Sequence, residues 1–136
     1  MGQGMSMINK AIIRRFNSEV IEQCNRDAFE TLVAQGFVNH TAAPGQPDDR
    51  EGLWHIFHSV LHRGLSDLRV AVLDQIAEHD KVTTRKRITG VHSDEFLGVA
   101  VTGRSVCIDV RIEHGQYVEH WGLNSLATVL TALRAP

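Results

Sequence analysis

The sequence is short of several things, and each shortage removes a class of protein. It has two cysteines, Cys24 and Cys107, and no CxxC spacing. Two such thiols make neither a disulfide framework nor a zinc site, so they read as free, buried or half-buried groups. Charge of one sign is also lacking, because the net charge is only -2. That gives no general attraction to nucleic acid or to an anionic membrane. No apolar run is long enough to span a bilayer. The start, MGQGMSM, lacks the apolar stretch of a secretory signal. Residues 1–7 read as a disordered or tag-derived start, ahead of a single domain over 8–136. These absences point to a cytoplasmic protein. No repeat, low-complexity tract or linker divides it.

What is present suits one globular domain. The 136 residues are 43% hydrophobic and 22% charged, enough for one sizeable core and too apolar for disorder. Eight histidines are many for this length. His58 and His62 stand four apart and would share a helix face, but HExxH is absent and no acid lies between them. They read as part of a His-rich surface helix, with no metal site.

The apolar pattern changes along the chain. Ile12, Ile13, Phe16, Val20 and Ile21 recur at helical spacing, which predicts a helix over 8–25. Asn25 to Asp27 read as a stop and a new cap, followed by a short helix closed by Gly36. A loop with Pro44, Gly45 and Pro47 follows. Asp48 and Asp49 then offer caps for a helix that ends at Gly64 and has Trp54 and Phe57 as core residues. After Ser66 the period becomes that of strands, with a turn at 78–81. HSDEFLGVAVTG reads as a loop. SVCIDVRIEHGQYVEHWG reads as a hairpin turning at Gly115. Asn124 or Ser125 can cap a last short helix. Helices first and antiparallel strands after make an α+β layout, with helices covering one face of a curved sheet. Such a cone offers a pocket for an apolar ligand at its open end.

Three stretches, GFVNHTAAPGQPDDREGL, ITGVHSDEFLGVAVTGRSV and HGQYVEHWGLNS, together resemble the SnoaL-like polyketide cyclase and predicted ester cyclase family. The resemblance covers nearly the whole chain. It implies a cystatin-like α+β barrel, the fold shared with nuclear transport factor and scytalone dehydratase. In that fold N-terminal helices pack on a curved, mostly antiparallel sheet, forming a cone with an apolar pocket. It also implies intramolecular aldol cyclisation of a small hydrophobic carbonyl compound, without metal or organic cofactor. Carried onto this chain, Asp109 is the general acid/base and His92 the donor to the oxyanion. His40 stands at the pocket wall, and Phe96 and Trp121 line the pocket. The partners expected are that carbonyl ligand and a second copy of the chain, joined through the sheet.

The chemistry is coherent. Taking a proton next to a carbonyl needs a carboxylate whose pKa is raised by an apolar pocket. The enolate then needs a donor, for which His92 or the Arg85 cation would serve. Strict alternation, however, puts Cys107, Asp109 and Arg111 on one strand face and Val106, Ile108, Val110 and Ile112 on the other. Asp109 enters an apolar pocket only if a bulge turns it there. Lys86 is a second departure, standing where an apolar or aromatic residue is expected. His120 and Trp121 alternate, so one of them faces in. The expectation is Trp121, with Tyr117 and Glu119 on its side. Two other readings stay open: a small-molecule binding module that needs no acid, and an epoxide hydrolase or dehydratase using Asp109 and Arg111.

Overall fold

The computed structural model describes residues 2–115 and 119–135; the side chains of 2–6, 111–115, 119 and 121 are not described. Tyr117 therefore lies outside the described residues. Helix α1 (Gly2–Arg15) runs on without a break into a wider π-helical segment, Phe16–Glu22. Helix α1 thus begins at Gly2, within the stretch read as lying ahead of the domain. Ile13, Phe16, Val20 and Ile21 are buried, as their spacing predicts. Asn25 then accepts a hydrogen bond from the Ala28 amide at 3.1 Å and caps α2 (Arg26–Leu32). Asp49 does the same for Gly52 at 2.9 Å and starts α3 (Arg50–His55). That helix also widens, over Ile56–Leu61, and ends in a last turn at His62–Gly64.

Gly64 is needed where it is. A Cβ there would lie 2.8 Å from the Phe96 ring and 3.0 Å from the Glu95 carbonyl oxygen. The chain passes this contact straight into the sheet. The strands are β1 (Val38–Asn39), β2 (Leu65–Glu78), β3 (Lys81–His92), β4 (Ser105–Gly115) and β5 (Glu119–Asn124). Their order across the sheet is β1-β5-β4-β3-β2. β1 runs parallel to β5, and the other pairs are antiparallel. The short β1 sits in the stretch expected to be loop. The β2–β3 register shifts between Ser66 and Arg69 and again between Val72 and Asp74. Such irregularities bend a long strand and curve the sheet. The last helix, α4 (Leu126–Arg134), contributes Leu133 to the core and receives the Arg104 guanidinium on its Ala132 carbonyl at 3.0 Å.

One face of the sheet is covered by the helices. Val82, Ile88, Val106 and Ile108 lie there, buried against Phe16, Val20 and Phe57. Trp54 is half-buried; its ring packs 5.1 Å from that of Phe29, with Arg26 above it. No helix among the described residues is long and apolar enough to cross a membrane. Cys24 is half-buried and Cys107 is exposed, and both are free thiols.

Candidate functional site

The two faces of the sheet carry different chemistry, and Asp109 is on the outer one. The β3–β4 ladder runs from Lys81 opposite Gly115 to Val91 opposite Ser105 with no shift. The bulge needed to turn Asp109 inward is therefore missing. Its carboxylate accepts from Arg87 Nε at 2.8 Å, with the two side chains 59% and 48% exposed. An open face of this kind lacks the apolar enclosure that an acid/base carboxylate requires. The same face bears a shallow groove of about 370 Å³, lined by Leu73, Arg85, Arg87, Asp109, Leu123 and Ser125 among others. Arg85 is exposed there, away from the interior.

His92 is buried, but its ring is committed to the loop that follows it. Nε2 stands 3.2 Å from the Val99 carbonyl oxygen, which fixes the proton on that nitrogen. Nδ1 then accepts from the Thr102 hydroxyl at 2.8 Å, while the same hydroxyl oxygen accepts from the Arg104 amide. With both ring nitrogens engaged, His92 has no N–H left for an oxyanion. It fastens the 93–104 loop. Phe96 belongs to the same fastening, buried under Gly64 and edge-on to the His92 ring at 6.3 Å. His58 and His62 do not converge. His58 stacks on Trp54, and His62 Nε2 donates to the Ile21 carbonyl at 2.6 Å.

The interior holds a different set of groups. β3 places Val82, Thr84, Lys86 and Ile88 in one register on the helix-covered face. Lys86 is only 1% exposed. Its Nζ donates to Asn17 Oδ1 at 2.7 Å, and Asn17 Nδ2 donates to the Ile13 carbonyl at 2.9 Å. Asn17 belongs to the widened segment Phe16–Glu22, and π-type widenings recur at functional positions. No carboxylate is among the buried polar side chains described. Burial without a counter-charge pulls the Lys86 ammonium from 10.5 down to about 7. Beside Lys86, Thr84 is buried and Gln75 Nε2 donates to the Lys10 carbonyl at 3.3 Å.

His120 also faces in, contrary to expectation. The parallel pairing of β1 with β5 sets Asn39 beside His120, and both are 5% exposed. The Phe37 ring meets the imidazole edge-on at 5.2 Å. Burial lowers the His120 pKa to about 4, and the charges of Lys86 and His40 push it the same way. The imidazole is therefore neutral at physiological pH. His40 is itself exposed, and its amide donates to the His120 carbonyl at 2.9 Å, which keeps it next to that end of the interior. The Trp121 side chain is outside the described ones.

Of the residues singled out from sequence, the fold brings His40 close to the interior polar set and leaves Asp109 and Arg85 outside. The interior set itself, Lys86, Asn17 and His120, was missed as a site. Its signal was an ionisable residue at an apolar strand position.

A family model described as SnoaL-like polyketide cyclase matches residues 11–133. A proposed SnoaL-like polyketide cyclase from Jannaschia sp. CCS1 superimposes with a TM-score of 0.82 at 26% identity, covering 97% of this chain and 95% of that one. IdmH, a proposed polyketide cyclase from Streptomyces antibioticus, gives 0.75 at 28% identity, over 93% of this chain and 99% of its own. AclR from Streptomyces galilaeus, a proposed hydroxylase, gives 0.76 at 22% identity, over 96% of this chain and 99% of its own, and shows the fold alone. No curated protein matches the chain.

Proposed function

The chain belongs to the SnoaL-like polyketide cyclase family, and on that footing we propose that it binds a small hydrophobic carbonyl compound inside the cone and moves a proton at the carbon next to the carbonyl. Ring closure by intramolecular aldol condensation is the reaction this chemistry serves. The observation that carries the reading is the buried Lys86 amine, which has no carboxylate partner among the described residues. An amine that titrates near 7 both takes and returns a proton at neutral pH, the condition under which general acid/base transfer works best. His120, buried beside Asn39, lines the same interior as a neutral ring. Asn17 holds the amine in place. In this reading the inner face carries the proton transfer expected of Asp109.

The test is turnover of a panel of aryl diketones able to close a ring, followed by loss of carbonyl absorbance. Lys86→Met should lower the rate by roughly 10²–10⁴-fold, the usual worth of a positioned acid/base group. Asp109→Asn should keep the parent rate. A Lys86→Met protein as fast as the parent removes Lys86 from the reaction, and a dead Asp109→Asn returns the outer acid to it. One observation favours a second reading, a binding module without turnover: the buried polar side chains described include no carboxylate base. Ligand bound by parent and Lys86→Met alike, with no product from either, would select it.

A further inference from the structure

The chain has three lysines, and they occupy unlike surroundings. Lys81 is exposed at the β2–β3 turn and Lys10 is half-buried on α1. Lys86 lies in the core with its Nζ against Asn17 Oδ1. An ammonium carries a full charge and three donors, and one amide oxygen compensates neither. The arrangement suits the neutral amine instead. One N–H reaches Asn17, which the Ile13 carbonyl holds in turn, and no group among the described residues donates to the nitrogen lone pair. A desolvated lysine amine with a free lone pair is a nucleophile toward carbonyl carbon.

We propose that Lys86 captures aldehydes and ketones that enter the cone as a covalent imine on Nζ. This rests on the reading that a carbonyl compound binds inside, and it adds a bond that acid/base transfer does not need. The Nζ lone pair attacks the carbonyl carbon and forms the C–N bond. The C–O π pair moves to oxygen, which takes up a proton. The carbinolamine then expels its hydroxyl as water while the nitrogen lone pair forms C=N. Both N–H protons of the amine leave in that water, so amine plus carbonyl gives imine plus water. Nothing is oxidised or reduced.

The experiment uses the intact protein with benzaldehyde and cyanoborohydride at about pH 7.5, where a depressed amine is already largely unprotonated. The hydride fixes any imine as a benzylamine, and peptide mass mapping locates it. The expected result is one benzyl group on Lys86, formed at least about tenfold faster than on Lys81 or Lys10. Asn17→Asp places a carboxylate beside Nζ, keeps the ammonium charged, and should cut the labelling by about tenfold or more. Benzyl alcohol, which has the same shape and no carbonyl, is titrated in parallel and its binding read by ligand-observed NMR. Bound benzyl alcohol with label only on Lys81 and Lys10 overturns the imine and leaves the pocket reading intact. Neither compound binding, with Lys86 unlabelled, overturns both.

Discussion

Replacing Lys86 by methionine should make this protein more stable in mild acid and flatten its response to alkali. The magnitude follows from where the amine sits. Its pKa is about 7 in the fold against an ordinary 10.5. That difference corresponds to about 5 kcal/mol between the two protonation states. The sign is set by proton counting. Below pH 7 the lysine is charged in both folded and unfolded chains, and the fold bears the full cost of the buried charge. Between 7 and 10.5 the unfolded chain holds a proton that the fold lacks, so stability rises with pH. Over the first two pH units of that window the parent should gain about 2–3 kcal/mol. Methionine fills similar space with no charge, but it orphans Asn17 Oδ1, which costs about 1–3 kcal/mol. The release of the buried charge is the larger of the two effects. At about pH 6 the variant should therefore exceed the parent by about 2–4 kcal/mol, and the gap should close as pH rises. Urea unfolding followed by far-UV circular dichroism at a series of pH values measures both. Parallel pH curves for parent and variant, or a variant weaker at pH 6, would mean that the fold does not bear the cost of a buried charge at Lys86.

Other consequences follow from the same fold. His120 titrates at about 4 in the fold against 6.5 ordinarily, so the unfolded chain holds the extra proton between those values. Stability should fall by up to about 3 kcal/mol as pH drops through that window, and His120→Gln should remove that slope in acid urea titrations. Gly64→Ala drives a methyl into Phe96 and the Glu95 carbonyl. It should cost about 1–3 kcal/mol in chemical unfolding, and an unchanged midpoint would mean that the 93–104 loop gives way freely. The dimer expected through the sheet is a proposal supported by the exposed outer-face residues Leu73, Ile76 and Leu123, the last 78% exposed. Sedimentation velocity should show a dimer that Leu123→Glu converts to monomer; a parent that sediments as a monomer removes the proposal.

Much of the fold was legible because local signals agreed with the tertiary ones. The stop-and-cap stretch 25–27 and the Asp48-Asp49 pair do start helices, through Asn25 and Asp49, and Gly64 ends its helix where Phe96 presses on it. Strand β1 was not legible, since two residues in a loop rich in proline and glycine carry no period. The site was harder for a different reason. Alternation alone already put Asp109 opposite the apolar row, and only an added bulge could have turned it inward. Lys86 stood in the open at an apolar register position. What makes it chemically distinct is Asn17, 69 residues away on a helix whose placement over β3 no local pattern states. His120 is a similar case. Alternation lets His120 or Trp121 face in, and His120, set beside Asn39 by the pairing with β1, is buried.

The most direct measurement is the titration of the lysine side chains by NMR, with the protein labelled at lysine Cε. Three lysines give three resolvable signals. One of them, assigned by its loss in Lys86→Met, should titrate with a midpoint near 7. A Lys86 signal that titrates near the ordinary 10.5 would mean that the amine is solvated and charged at neutral pH, and the interior site would fall with it.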